Sequence, residues 1–341
     1  MIDPHLQKQL RRFKKNKRGY YSFLFLAIAF FVSLFSEWIC NNKPFVMRFE
    51  DQFYFPMFSF YKADTFGDSV SILPDYKRIL RSDRFKQNTG NWMLFPIVPY
   101  GPNESMRDLP TPPPSPPTAD NWLGTDDRGR DLLTRLVYGF RNSMLFALVS
   151  WIFIVGLGYF FGALQGYLGG WVDLLGQRFT EIWHALPVLY VIIFLVSVFP
   201  PGLWLLMLVW IAFSWISLAS YVRAEVLRVR KMEFVTAARA LGAGTPRILI
   251  VHLFRNTLMP IVTLSPFLIS ASIGSLAALD YLGLGLPPPT ASWGELLRQG
   301  KENLSSWWLS TFPFLCLFGT LLLFNFVGEA VRSAFDAREA H

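Results

Sequence analysis

Six apolar runs of about 20 residues limit what this chain can become, because about 20 helical residues at 1.5 Å each cross a hydrocarbon layer about 30 Å thick. The runs fall near Tyr20–Cys40, Ser143–Leu164, Ile182–Phe199, Leu203–Val222, Leu258–Leu279 and Trp307–Val327. A spanning segment must satisfy its backbone polar groups internally. The expected fold is therefore an all-α membrane protein with six transmembrane helices. Charged residues make up 16% of the chain, against roughly 25% in soluble domains. Pro187, Pro260, Pro266, Gly274, Pro313 and Gly319 lie in these runs, which suits a bundle that lines a cavity and moves.

Charge sets the orientation. The net charge of +8 would suit a nucleic-acid partner, but the bases sit mostly beside the apolar runs, so they read as topology and no nucleic acid is expected. Residues 1–19 carry Lys8, Arg11, Arg12, Lys14, Lys15, Lys17 and Arg18 against Asp3, and residues 223–255 carry seven Lys or Arg against Glu225 and Glu233. The loop 280–306 has Asp280, Glu295 and Glu302 against Arg298 and Lys301. The positive-inside rule puts both termini and the 223–257 loop in the cytoplasm.

The expected division is a tail (1–19), a first span (20–40), an insert on the far side (41–142), a five-helix core (143–328) and a tail (329–341). The first run is too long for a signal-peptide core, and Trp38-Ile39 before Cys40 is no lipoprotein cleavage site, so it reads as a retained anchor. In the insert, Lys43–Phe49 and Phe53–Phe58 flank Glu50-Asp51 as a small β-hairpin. Thr111–Pro117 reads as a polyproline II tether. Asp126, Asp127 and Asp131 hint at a divalent cation, but Arg128 and Arg130 lie between them, which favours a structural turn and helix cap.

Lys231–Pro260 stands out as a charged helix–turn–helix pattern between apolar runs. On a helix from Met232 to Leu241, Phe234, Ala237, Ala238 and Leu241 form one narrow apolar stripe, with Gly242 placed for a left-handed cap. Such a helix could lie on lipid, on its own chain or in a partner's groove.

Catalytic signals are sparse. There is no GxxxxGK[ST]: Gly294 to Gly300-Lys301 has one residue too many between its glycines, and no Ser or Thr comes next. His184 reads as a polar end-residue of the third span, and Cys40 and Cys316 as packing residues. No span carries a central carboxylate, which weighs against an intramembrane enzyme and against the alternative function, a stand-alone secondary transporter of a small solute.

The TAARALG…HLFRN segment resembles the cytoplasmic signature of ABC-importer permeases, in which the helix couples to an ATPase. NWLGTDDRGRDLLTRLVYGFRNSM (121–144), DYLGLGLPPPTASWGELL (280–297) and FNFVGEAVRSAFDAR (324–338) resemble the dipeptide/oligopeptide/nickel (DppC/OppC-like) group. Within it, KPFVMRFEDQFYFPMF and DYLG are most similar to YejE-type inner-membrane peptide permeases. The resemblance implies a type I permease fold and a non-catalytic, multi-pass subunit of the bacterial inner membrane. It implies half of a translocation pathway for oligopeptides, with microcin C-like antibiotics as possible passengers. The implied partners are a second permease subunit in a heterodimer, the ATPase subunit or subunits, and a periplasmic peptide-binding protein. No cofactor is implied in this chain; ATP and Mg would sit on the ATPase. The implied coupling residues are Phe234, Ala237, Ala238, Leu241 and Gly242, and the implied periplasmic signature is Gly124, Thr125, Asp126, Gly129, Arg130 and Asp131. Thr236 stands where the family has Glu, Arg255 where it has Pro, and Leu276 where Glu is common.

Overall fold

A computed structural model describes residues 4–67, 72–88, 90–106 and 108–335. In chain order come α1 (Pro4–Lys15), α2 (Lys17–Leu34), α3 (Ser36–Ile39), β1 (Val46–Phe49), β2 (Gln52–Tyr54), α4 (Tyr76–Arg81), α5 (Asp83–Gln87) and β3 (Trp92–Leu94). Next are α6 (Leu132–Leu168), α7 (Gly170–Ala185), α8 (Val188–Val198), α9 (Leu203–Val229), α10 (Glu233–Ala240) and α11 (Thr245–Arg247). A π-helical turn (Ile248–Leu253) leads into α12 (Phe254–Asn256), α13 (Leu258–Tyr281), α14 (Trp293–Glu302) and α15 (Trp307–Phe335). The contacts divide the chain into a unit of Met1–Ala29, Asn142–Pro287 and Leu315–His341, and a unit of Phe30–Arg141 and Pro288–Phe314.

Five helices are long and apolar enough to cross a membrane: α2, α6, α9, α13 and α15. The third expected span is instead a helix pair, α7 and α8, bent by 69°. The bend falls at Leu186-Pro187, where the proline disfavours helical backbone in the residue before it, and Leu186 is extended (φ −71°, ψ 122°). Pro266 and Pro313, by contrast, are carried inside α13 and α15. The six-span reading holds if the bent pair is counted as one.

α6 runs on to Leu168, past the apolar run that ends near Leu164. Gly158, Gly162 and Gly166 repeat every four residues along one face of α6. A Cβ there would come within 3.0 Å of Leu218, 2.8 Å of the Arg223 carbonyl and closer still to the Ala219 carbonyl, all on α9. Small residues at this spacing let two backbones close on each other where lipid gives no hydrophobic drive to helix pairing. Gly19 plays the same part against Ala330 and Phe326 on α15. The final helix outlasts its apolar run, so the proposed tail boundary at 329 falls inside it; residues 336–338 of the C-terminal match lie outside the described residues.

In the second unit, the expected hairpin forms and gains a strand. β1 pairs antiparallel with both β2 and β3, giving the order β2-β1-β3. Glu50 and Asp51 both take positive φ, +50° and +65°, as a two-residue I′ hairpin turn requires. Side chains anchor this turn: the Asn91 side chain accepts from the Glu50 N–H at 3.0 Å, and the Arg48 guanidinium pairs with Asp51 at 2.8 Å. Alternate residues of β1 point inward, where Met47 and Phe49 pack with Phe66, Tyr76, Ile79 and Phe85. The Thr111–Pro117 segment is not a free tether. Ser115 is buried, its N–H donates to Thr125 Oγ1 at 2.8 Å, and its carbonyl accepts from Thr125 N at 2.9 Å.

Candidate functional site

The two sets of residues singled out in the sequence belong to different units. The first is α10. It starts after Met232 and ends in a closed Schellman cap: Ala243 N–H donates to Ala238 O and Gly242 N–H to Arg239 O, both at 3.0 Å. Gly242 sits at φ +83°, with open space where a Cβ would be. Glu233 in the first turn and Arg239 in the last complement the helix dipole. Arg239 also reaches back to α6, donating to the Tyr167 hydroxyl at 3.1 Å and lying over its ring.

Burial divides the expected stripe. Ala238 and Val235 are buried, and Val235 packs in a core with Tyr167, Leu218, Val222, Val226, Ile248 and Leu253. Phe234, Ala237 and Leu241 are exposed, Leu241 at 88%. One edge of the helix therefore fastens it to its own chain, and the other carries an uncovered apolar ridge. Thr236 is exposed beside that ridge, its hydroxyl donating to its own helix at Met232 O, 3.4 Å away.

The segment after α10 was not legible in the sequence. The Ile248–Leu253 turn widens to π geometry, a form that often marks functional segments. Tyr159 donates to the Leu249 carbonyl at 2.5 Å, and its ring meets Phe254 edge-on. Arg255 lies in α12, and the chain turns into α13 at buried Thr257, whose hydroxyl donates to Leu253 O at 2.9 Å.

The second set, residues 121–135, forms a buried charge knot. Gly124 (φ +80°) and Gly129 (φ +71°) turn the chain so that Thr125 and Asp131 meet in a short antiparallel bridge. A Cβ on Gly124 would lie 2.8 Å from the Ser115 carbonyl. Asp131 caps α6 by accepting from Thr134 N and Oγ1, both at 2.8 Å. Asp126 accepts from the backbone of Arg128 and Arg130 and pairs with Arg130 Nε at 2.6 Å and Arg135 Nε at 3.3 Å. The cap reading holds, and these two carboxylates are engaged by arginine and backbone rather than set out as cation ligands.

Sequence reading missed the other half of the knot. Glu295 pairs with Arg135 Nη2 at 2.6 Å and stands 3.5 Å from Arg130 Nη2. Arg135 also donates to the carbonyls of Pro102, Pro289 and Thr290. All four charged side chains are buried. Two signals were available: Arg135 opens a long and mostly apolar helix, and Ser292-Trp-Gly-Glu295 is a capping box, with Ser292 Oγ accepting from Glu295 N at 3.4 Å. Asp127, beside the knot, is held above the usual carboxylate range by burial and by the neighbouring Asp126 charge.

Comparison with known proteins places this arrangement. Residues 143–341 match the family model described as binding-protein-dependent transport system inner membrane component. The chain is 41% identical over 339 residues to the inner membrane ABC transporter permease protein YejE of Escherichia coli K12, covering 99% of each chain. It is 39% identical to the peptidoglycan transport system permease protein YejE of Agrobacterium fabrum, covering 99% of this chain and 94% of the relative. The dipeptide transport system permease protein DppC of Bacillus subtilis is 34% identical over 79% of this chain and 87% of its own. This membership displaces the stand-alone transporter reading: the chain belongs to the family of inner membrane components of binding-protein-dependent ABC transport systems.

Proposed function

We propose that this chain is half of a peptide-translocating pore, paired with a second, different permease subunit and driven through the exposed ridge of α10. The observation that carries the coupling role is the split on that helix. Val235 fastens it to the α6–α9 core and Ala238 is buried too, while Phe234, Ala237 and Leu241 stay uncovered. An apolar ridge rimmed by charges is the form an amphipathic helix takes when it fills a groove on another protein. The chain has no phosphate-binding loop of its own, so ATP and Mg would be held by a partner ATPase, whose closure would move α10 and rock the bundle.

In this reading both termini and residues 223–257 are cytoplasmic, as the Lys and Arg distribution favours. The unit of Phe30–Arg141 and Pro288–Phe314 would then face the periplasm and meet a peptide-loaded binding protein. The knot of Asp126, Arg130, Arg135 and Glu295 keeps that surface rigid rather than reacting with anything. Peptide cargo is supported by the relatives, among them a dipeptide permease and a permease named for peptidoglycan transport. The test is uptake of defined oligopeptides by cells lacking this gene, with purification of the tagged chain. Lost uptake, restored by the gene, and a co-purifying ATPase and second permease support the reading. Transport by the lone subunit contradicts it.

A further inference from the structure

The three-stranded sheet has one packed face and one bare face. On the bare side, Arg48 of β1 lies between Phe53 and Trp92 in register, and Val46 lies opposite Leu94. Phe53, Trp92 and Leu94 are all exposed, and so are Phe58, Phe60 and Ile97 nearby, the last at 74%. A soluble surface rarely keeps this much contiguous apolar area uncovered.

Aromatic rings also gather between α3 and the sheet. Exposed Phe31 and Phe35 meet edge-on at 5.2 Å, and Trp38, three residues further on, is exposed as well. Trp38 in turn touches Phe45 and Phe58, each at 5.9 Å between centroids. Phe45 N–H donates to Leu94 O at 2.8 Å, which brings the edge of the sheet to the same place. The rings around Trp38 therefore reach the rim of the sheet.

An ion pair marks the depth. Glu37, next to Trp38, bonds Arg141 at 2.7 Å, with its own side chain about half exposed. A half-exposed carboxylate is costly in hydrocarbon, so this level lies at or beyond the edge of the lipid core. Aromatic rings concentrate at that boundary because one part of each prefers lipid and another tolerates water. Trp307, the first residue of α15, is likewise exposed.

We propose that the insert is seated on the lipid surface, with Trp38, Phe45, Phe58, Phe60, Leu94 and Ile97 in the headgroup region of the leaflet on its own side. The insert is then a membrane-anchored platform and not a freely tethered domain, and its bare sheet face has lipid for its partner.

The test uses the complete importer in lipid nanodiscs, with a nitroxide label at Phe60→Cys or at Ile97→Cys. Both positions are exposed, so a single substitution leaves the packed face untouched. The unsubstituted chain, whose Cys40 is buried, gives the labelling background. The expected result is that lipid-dissolved oxygen relaxes both labels more than a water-soluble nickel chelate does, with or without the binding protein. Two results would overturn the proposal: labels relaxed mainly by the nickel chelate, which puts the face in water, or labels shielded from both reagents, which puts a protein subunit on it.

Discussion

Replacing Glu295 by Gln keeps the shape of the buried knot and removes one of its two negative charges. Arg135 and Arg130 would then share Asp126 alone, leaving a buried positive charge without compensation. Breaking a buried pair in this way costs about 3–5 kcal/mol. Arg135→Met removes the opposite charge and also orphans the carbonyls of Pro102, Pro289 and Thr290, each worth about 1 kcal/mol. It should therefore cost more than Glu295→Gln. The double variant retains only the neutral Arg130–Asp126 pair, so its cost should fall at least about 2 kcal/mol short of the sum. The assay is thermal unfolding of the purified chain in nanodiscs, where a loss of about 3–5 kcal/mol lowers the midpoint of a chain this long by roughly 4–7 °C. An unchanged midpoint for Glu295→Gln, or strict additivity across the cycle, would refute the claim that these four charges act as one buried unit.

Other consequences are open to simpler checks. Asp127 is held above its unfolded value of 3.8, so its ionisation opposes folding. The penalty is absent below that value and grows as pH rises through the folded pKa. Asp127→Asn should therefore stabilise the chain at neutral pH and make no difference in strong acid, as unfolding midpoints across a pH series will show. Gly162→Leu drives a side chain into the Ala219 carbonyl, which already crowds the Cβ position, and should abolish recovery of folded protein by size exclusion. Gly242→Ala meets no atoms but forces positive φ on a residue with a Cβ, so it should cost about 1–2 kcal/mol and weaken the end of α10 without unfolding the bundle, measured as faster backbone hydrogen exchange at Arg239–Ala243.

The parts of this molecule visible in the sequence were those governed by local chemistry. Apolar length fixed where the spans lie, Glu50-Asp51 between two aromatic runs gave the hairpin, and Gly242 marked its helix end. The parts that stayed hidden depend on residues distant in the chain. Ala238 and Leu241 lie on one face by spacing, yet only the way the helix seats, with Val235 packed among Tyr167 and Ile248, leaves the first buried and the second bare. Glu295 looked like an ordinary loop carboxylate because its partners, Arg130 and Arg135, are about 160 residues earlier. The repeat of Gly158, Gly162 and Gly166 was readable, but Gly166 lies beyond the apolar run ending near Leu164, so the three did not read as one helix face. Pro187 failed in the other direction: it looked tolerable inside a span, and with Leu186 extended before it the helix breaks there.

The central claim is that the exposed ridge of α10 transmits ATP-driven motion from a partner, and Leu241 tests it best because it is 88% exposed among the described residues. Burying one leucine is worth about 1.5–3 kcal/mol, so Leu241→Asp should weaken binding of the ATPase roughly 10–100-fold. The decisive measurement is peptide transported per ATP hydrolysed by the complete reconstituted importer. The account predicts that Leu241→Asp folds normally, loses ATPase affinity and transports little peptide. Wild-type affinity together with wild-type transport would contradict it.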